Sequence, residues 1–441
     1  MVEASFHFPK DFFWGTATAA HQVEGQNKNN WSEWEKEPGR IADGSRSDNA
    51  SGWWQGEWEK DFERAAATGQ NAHRLSVEWS RVQPTADTWD EKALVVYQEM
   101  VKKLVDLKMT PVITLHHFTD PLWFRDMGGW ESKDSPRLFE TFVRKVVTSL
   151  KPYVNFWITV NEPNVYSVMG YLFGQFPPGR SDIKATGIVF ANLLRGHTLA
   201  YHTIHSLQPE AKVGFSIHHA PMHPVHSWSP FDTLLARFFD WNWNDAFPRT
   251  IQTGVFRFFL HSVKIPEAKG AMDFLGVNYY NRQFVSFAPK SKDTLFAKID
   301  LAKDVQPSKS RDFANDPVGM FETMKWAHGF GLPIYITENG IEDEADDLRP
   351  QMLVENIHQV WRAANFNWKV KGYFHWSLVD NFEWLAGWTQ RFGLWGLDIH
   401  TQERFKRKSA EIYEAICKEN GISSAMVQKF LPECYKTLFP V

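Results

Sequence analysis

The chain has 441 residues, 43% of them hydrophobic and 23% charged, which is ample for a large buried core. Its 48 Lys and Arg against 52 Asp and Glu give a formal net charge of -4, so it has no basic stripe for an affinity built on phosphates, and nucleic acid is excluded as a partner. No stretch approaches the apolar length that spans a bilayer, and residues 1–7 lack a basic segment followed by an apolar one, which predicts a soluble, cytoplasmic protein without a membrane partner.

In chain order, short apolar or β-branched runs at residues 12–15, 72–77, 111–116, 156–160, 212–217, 274–279, 333–337 and 373–377 read as strands. Continuous apolar runs of this kind belong to strands buried on both faces. Helical periods lie between them. Asp90 can cap a helix whose inner face carries Leu94, Tyr97, Val101, Leu104 and Val105. Ser135-Pro136 opens another, with Leu138, Phe139, Phe142, Val143, Val146 and Leu150 facing inward. Further helical periods cover residues 188–205, 317–328 and 350–364, whereas 282–316 is long and polar and reads as an extended loop on a rim. Alternation repeated eight times implies parallel strands joined by right-handed crossovers. No linker or low-complexity tract divides the chain. The predicted fold is therefore α/β, a single (β/α)8 barrel forming one domain over residues 1–441.

Three compositional features bear on chemistry. The two cysteines, Cys417 and Cys434, have no CxxC spacing and read as reduced, incidental thiols. His218, His219, His223 and His226 could suggest a metal, but no carboxylate or cysteine completes a ligand set nearby, and Pro221 and Pro224 point to a loop. No metal or other cofactor is expected. The 21 tryptophans are costly as filler, because a buried indole N–H needs a partner, while flat rings stack on the apolar faces of sugars. Trp53, Trp54 and Trp58 read as packing or rim residues.

In such barrels the reacting groups project from the carboxyl ends of strands. Those ends carry Gln22, Arg74, His116-His117-Phe118, Asn161-Glu162-Pro163, Asn278-Tyr279-Tyr280, Glu338-Asn339-Gly340 and Trp376, with Asn381-Phe382-Glu383-Trp384 following. Glycoside hydrolysis needs two carboxyl groups flanking the glycosidic oxygen, and Glu162 and Glu338 end strands that a barrel sets on facing walls.

Seven segments in order carry a resemblance: Phe13-Trp14-Gly15-Thr16-Ala17-Thr18, Arg74 to Arg81, Thr159-Val160-Asn161-Glu162-Pro163, Gly276 to Tyr280, Ile336-Thr337-Glu338-Asn339-Gly340, Asp380 to Trp384, and Arg391-Phe392-Gly393-Leu394. Along nearly its whole length the chain resembles a family 1 glycoside hydrolase, the β-glucosidase family. That resemblance implies a retaining β-glycosidase acting on terminal β-linked glucose, with galactose or fucose as further candidates, and a small β-glycoside or oligosaccharide as its partner. It implies Glu162 as acid/base and Glu338 as nucleophile, with Arg74, Asn278 and Tyr280 orienting Glu338 and holding it ionised. Gln22, His117, Asn161, Glu383 and Trp384 match positions that grip sugar hydroxyls. Trp376 matches the platform under the sugar, Phe392 belongs to the substrate-binding set, and Trp326 is a candidate for the leaving-group side.

One position departs from the pattern. The family commonly has His-Trp after the third strand, whereas this chain has His117-Phe118, which keeps a ring but loses an indole N–H. Two rival readings are a metal-dependent barrel hydrolase and a non-catalytic carbohydrate-binding barrel. The second usually loses a carboxylate, and both are present. Thioglucosidases replace the acid/base glutamate, which Glu162 speaks against, and Glu383 would repel the dianion of a phosphoglycoside.

Overall fold

The computed structural model describes residues 4–440. Its centre is a closed barrel of eight parallel strands, β1 (Phe13–Ala17), β2 (Ala72–Ser76), β3 (Thr110–His116), β4 (Phe156–Asn161), β5 (Lys212–His218), β6 (Phe274–Asn278), β7 (Ile334–Asn339) and β8 (Val370–Trp376). Each strand pairs with its sequence neighbours, and β8 closes on β1 through Gly372–Phe13 to Trp376–Ala17. Nearly every residue of these strands is buried, as the apolar runs require.

Helices α1 (Trp58–Ala67), α2 (Glu91–Asp106), α3 (Ser135–Leu150), α4 (Ile183–Leu207), α5 (Ala246–Thr253), α6 (Pro317–His328), α7 (Arg349–Asn365) and α8 (Lys408–Glu419) cover the outside of the barrel. The Asp90 carboxylate caps α2, accepting from the Ala93 N–H at 3.0 Å. Leu94, Tyr97, Val101 and Leu104 are buried beneath α2, but Val105 is 42% exposed, because the wheel turns it away from the barrel at the last turn. On α3, Leu138 is only half-buried and Val147 completes the inner stripe. Helix α4 starts five residues ahead of the expected 188, since Asp182 accepts from the N–H groups of Lys184 and Ala185 and so sets the first turn.

The stretch 282–316 is not an extended loop. Gln283–Phe287 and Ala297–Leu301 pair antiparallel, and Met222–Pro224 joins Gln283–Phe287 in parallel, making a three-stranded sheet on the barrel rim. Its alternating residues pack one face on the helix Pro230–Asp240, so the strand period was masked by a polar outer face. Among the described residues no helix is long and apolar enough to cross a membrane. Cys417 and Cys434 are both free and buried.

Candidate active site

β4 delivers Glu162 immediately after its last residue, and β7 contains Glu338. Both carboxyls line one cavity of about 260 Å3 at the carboxyl ends of the strands. Glu162 takes a left-handed backbone (φ 44), held by its N–H donating to the Ser216 carbonyl at 2.7 Å and its carbonyl accepting from the Tyr166 N–H at 3.0 Å. Phe118 (φ 69) and Trp384 (φ 46) line the same cavity and are left-handed as well. Such backbones cost on the order of 1–3 kcal/mol each and persist where the surroundings over-determine them, most often around ligand sites.

Arg74 is the hub. Its Nη1 donates to Glu338 Oε1 at 2.6 Å, Nη2 to Asn161 Oδ1 at 2.6 Å, and Nε to Thr114 Oγ1 at 3.0 Å. Tyr280 donates its hydroxyl to the other Glu338 oxygen at 2.8 Å. From sequence, Asn278 is assigned to Glu338. In the structure its Nδ2 donates to Glu162 Oε1 at 2.7 Å and to Asn161 Oδ1 at 3.0 Å, and it supports the charge of Glu338 as well. Thr337 fixes that amide by donating to Asn278 Oδ1 at 2.7 Å. The two carboxyls thus share one hydrogen-bonded frame.

Their environments separate them. Burial raises both above the ordinary carboxylate range. For Glu338 the Arg74 charge, the Tyr280 hydroxyl and the Arg74 and Asn278 hydrogen bonds oppose that rise. Glu162 is pushed well up, by burial first and then by the negative charge of Glu338, against weaker opposition from Asn278 and Arg74. Glu162 is therefore the carboxyl that keeps its proton, and Glu338 the one that gives it up.

A second polar set faces the same cavity from the loop after β8. Glu383 accepts from Asn381 Nδ2 at 2.9 Å and from Gln22 Nε2 at 3.1 Å, and burial pushes its carboxyl up to about 7. Asp380 anchors this loop: it accepts from both ends of the Arg407 guanidinium, at 2.7 and 2.9 Å, and from the Gly393 N–H at 2.9 Å. Such two-pronged pairing gives rigidity as well as energy. Trp384, carried on the loop, stacks on His21 (5.6 Å between centroids) and lies 5.2 Å from Phe118.

The network also fixes the His117 tautomer. Asn161 Oδ1 is taken by two donors, so Asn161 Nδ2 faces His117 Nε2 at 3.1 Å as donor, which places the imidazole proton on Nδ1. Burial, then the Arg74 charge, pushes His117 well below its ordinary value, so the ring is neutral. Its Nδ1 and the Gln22 Oε1 are buried and find no partner within the protein.

His117, Glu162, Tyr280, Glu338, Trp376, Glu383, Trp384 and Phe392 all line the cavity, while Gln22, Arg74, Asn161 and Asn278 stand directly behind them. Trp326 does not reach it. It sits in the last turns of α6, stacks on His219 (4.0 Å) and donates its indole to Asp245 at 3.0 Å. The helix carries it away from the strand ends, so its expected place beside the leaving group is wrong. Trp243 lines the cavity instead, donating to His218 Nδ1 at 3.0 Å, with Met169 and Phe313 also on the wall. The run Asp240-Trp241-Asn242-Trp243-Asn244-Asp245 was the only sequence signal for it.

The four histidines disperse: His218 meets Trp243 and Tyr280, His219 meets Thr323, His223 meets Glu322, and His226 meets Asp232. Among the described residues no three His, Cys, Asp or Glu side chains converge as a metal would require. Trp53 is buried against Asp61, and Trp54 packs under Arg81, as packing residues do.

Residues 4–422 match the model of glycosyl hydrolase family 1. A 1,4-β-D-glucan glucohydrolase of Thermotoga neapolitana is 30% identical over 446 aligned residues, covering 94% of this chain and 99% of that one. A β-glycosidase from Pyrococcus horikoshii superposes with a TM-score of 0.90 at 33% identity, over 97% of this chain and 98% of that one. A β-glucosidase from Thermotoga maritima, solved in complex with glucoimidazole, superposes with a TM-score of 0.88 at 28% identity, over 95% and 100%.

Proposed function

The chain belongs to glycosyl hydrolase family 1 and is a retaining β-glycosidase; we propose that Glu338 is its nucleophile, Glu162 its acid/base, and a terminal β-D-glucosyl residue its preferred substrate. The observation that carries the assignment is the pairing of two buried carboxyls in one cavity, of which only Glu338 accepts hydrogen bonds from Arg74 and Tyr280.

In the first step Glu338, ionised beside Arg74, attacks the anomeric carbon as Glu162 gives its proton to the departing oxygen. The glycosyl group is then an ester of Glu338. Loss of that negative charge lowers the affinity of Glu162 for a proton, so its carboxylate can now take one from water. Water attacks the same face that the aglycone left, and the ester oxygen of Glu338 departs as carboxylate. Two inversions give retention.

The sugar is held by groups that the protein leaves unsatisfied. His117 Nδ1–H and Gln22 Oε1 each gain a hydroxyl partner, and an unpaired buried polar atom costs about 1–3 kcal/mol. Glu383 accepts from adjacent hydroxyls, and the indole of Trp376 lies under the ring. The glucosyl preference is supported by the relatives named for glucan and glucoside substrates. Proton NMR of early turnover of an aryl β-glucoside tests the assignment. The β-hemiacetal must appear before mutarotation, whereas first appearance of the α-anomer, or no hydrolysis, refutes it.

A further inference from the structure

The helix Pro230–Asp240 is apolar on two faces, and only one of them has a partner. Ala236 and Phe239 are buried and pack with Val285 and Ala297 of the rim sheet. On the other face Phe231, Leu234 and Phe238 recur at steps of three and four, and Trp241 extends the stripe into the next turn. All four are exposed, Leu234 by 68%. A surface helix normally turns its second face polar, so this stripe is unspent. The patch continues on both sides. Phe287 stacks on Phe231 at 5.3 Å, and Phe259 packs 5.0 Å from Phe238. The next residue, Leu260, is fully exposed at the tip of a hairpin that pairs Val255–Phe258 with His261–Lys264. Trp228, 80% exposed, stands one residue ahead of the helix cap Ser229. Half of the large hydrophobic side chains exposed among the described residues lie between 228 and 299, so this is one patch and not the usual scatter of single residues.

The exposed charges around it have one sign. From His226 to Lys264 the carboxylates turn inward: Asp232 accepts from the Phe287 N–H at 3.0 Å, Asp240 from Asn244 Nδ2 at 2.8 Å, and Asp245 from the Trp326 indole at 3.0 Å. The exposed charged side chains of that stretch, histidines aside, are Arg237, Arg257 and Lys264, all cationic. Arg237 stands within the stripe, one turn from both Leu234 and Trp241, and Arg257 lies on the hairpin whose tip carries Leu260. Among the described residues none of the three has an ion-pair or side-chain hydrogen-bond partner. A second copy of the chain docked about a two-fold axis would set these like charges against each other. A bilayer with anionic headgroups meets them with opposite charge, takes Trp rings at headgroup level and buries Phe and Leu just below.

We propose that this patch is a docking surface for an anionic lipid bilayer, on which the enzyme rests peripherally. The sequence argues against a membrane partner because no segment can span a bilayer, and no helix among the described residues is long and apolar enough to do so. A surface seated at the headgroups needs no spanning segment. It needs an apolar stripe flanked by cations, which the helix Pro230–Asp240 and the hairpin tip supply together. Neither Leu234 nor Leu260 lines the sugar cavity, so docking and hydrolysis can be separated by substitution.

Flotation with phosphatidylcholine vesicles, with and without about one-third phosphatidylglycerol, tests this. The wild type should bind the anionic vesicles at least about tenfold more tightly than the neutral ones, and salt should weaken that binding. Leu234→Glu combined with Leu260→Glu should reduce it at least about tenfold, since each leucine buried is worth about that much. Arg237→Glu combined with Arg257→Glu should reduce it by at least a similar factor, as each cation near an anionic surface contributes about fivefold. Turnover of an aryl β-glucoside should stay within about twofold in both variants, which shows that they fold. Should the leucine pair not fold, Leu260→Glu alone, at a fully exposed position, provides the same readout. No flotation with anionic vesicles overturns the proposal. Binding that ignores lipid charge overturns it, and so does binding that survives in both variants, by placing the contact elsewhere. A dimer in sedimentation that Leu234→Glu dissolves, with no vesicle binding, gives the face to a second copy and overturns it too.

Discussion

Arg74 and Glu338 meet at 2.6 Å with side chains 0% and 5% exposed, so neither charge is screened by water. Removing one partner of such a pair leaves the other buried and uncompensated, at about 3–5 kcal/mol. Arg74→Ala should lose about that much unfolding free energy in denaturant titration. Its residual activity should show an acidic limb moved to higher pH, because the charge that opposes protonation of Glu338 is gone. A wild-type acidic limb in this variant contradicts the role given to Arg74.

Activity of the wild type should be bell-shaped in pH. Glu338 must be ionised, so the rate falls as pH drops through its value; Glu162 must be protonated, so the rate falls as pH rises through its own. Burial raises both, which places the whole bell above the ordinary carboxylate value of 4.5. The limbs report macroscopic values of an interacting pair. In Glu162→Ala, burst rates with a dinitrophenyl glycoside, whose leaving group needs no proton, should keep the acidic limb and lose the alkaline one. Survival of the alkaline limb would mean that another group is the acid.

Glu383 couples substrate binding to stability. Its hydrogen bonds to hydroxyls are charge-assisted, each worth about 1.5–3 kcal/mol. Glu383→Ala should therefore weaken glucoside binding on the order of ten- to a hundredfold, read as kcat/KM. The folded carboxyl is raised from 4.5 to about 7, so its contribution is full below pH 4.5 and is lost as pH climbs toward 7. That amounts to roughly 3 kcal/mol across the window. Glu383→Gln should flatten the fall in melting stability between pH 4.5 and 7, and parallel wild-type and variant curves would rule this out.

Much of the site was legible because a barrel ties chemistry to strand ends. Once residues 156–160 and 333–337 read as strands, Glu162 and Glu338 had to face one mouth. Helix phase was less legible. The resemblance made Trp326 a candidate for the leaving-group side, but its angular position on α6 aims it at His219 and Asp245. Trp243 escaped because it comes from the long connection between β5 and β6, where no strand end announces it. The rim sheet escaped for a related reason: one face is exposed, so its alternation has few apolar residues to display. Asn278 shows the limit of assigning partners from motifs, since its shortest carboxylate contact is to Glu162.

Glu338→Ala should be inactive on every glucoside, because no glycosyl ester can form. Added azide should occupy the vacated space and attack directly, restoring turnover of an activated aryl glucoside. One displacement gives an α-glucosyl azide, the inverted product. Formation of the β-azide, or full activity without azide, would remove Glu338 from the nucleophile's place.

The central claim is that Glu338 becomes covalently glycosylated, and trapping that ester tests it most directly. A 2-deoxy-2-fluoro-β-glucoside with a dinitrophenyl leaving group slows both steps, but the good leaving group spares the first, so the ester accumulates. Mass spectrometry of the digested protein should find one fluoroglucosyl group per chain, on the peptide bearing Thr337-Glu338-Asn339 and located on Glu338. A label on any other residue, or a fully active enzyme that acquires none, would contradict the account.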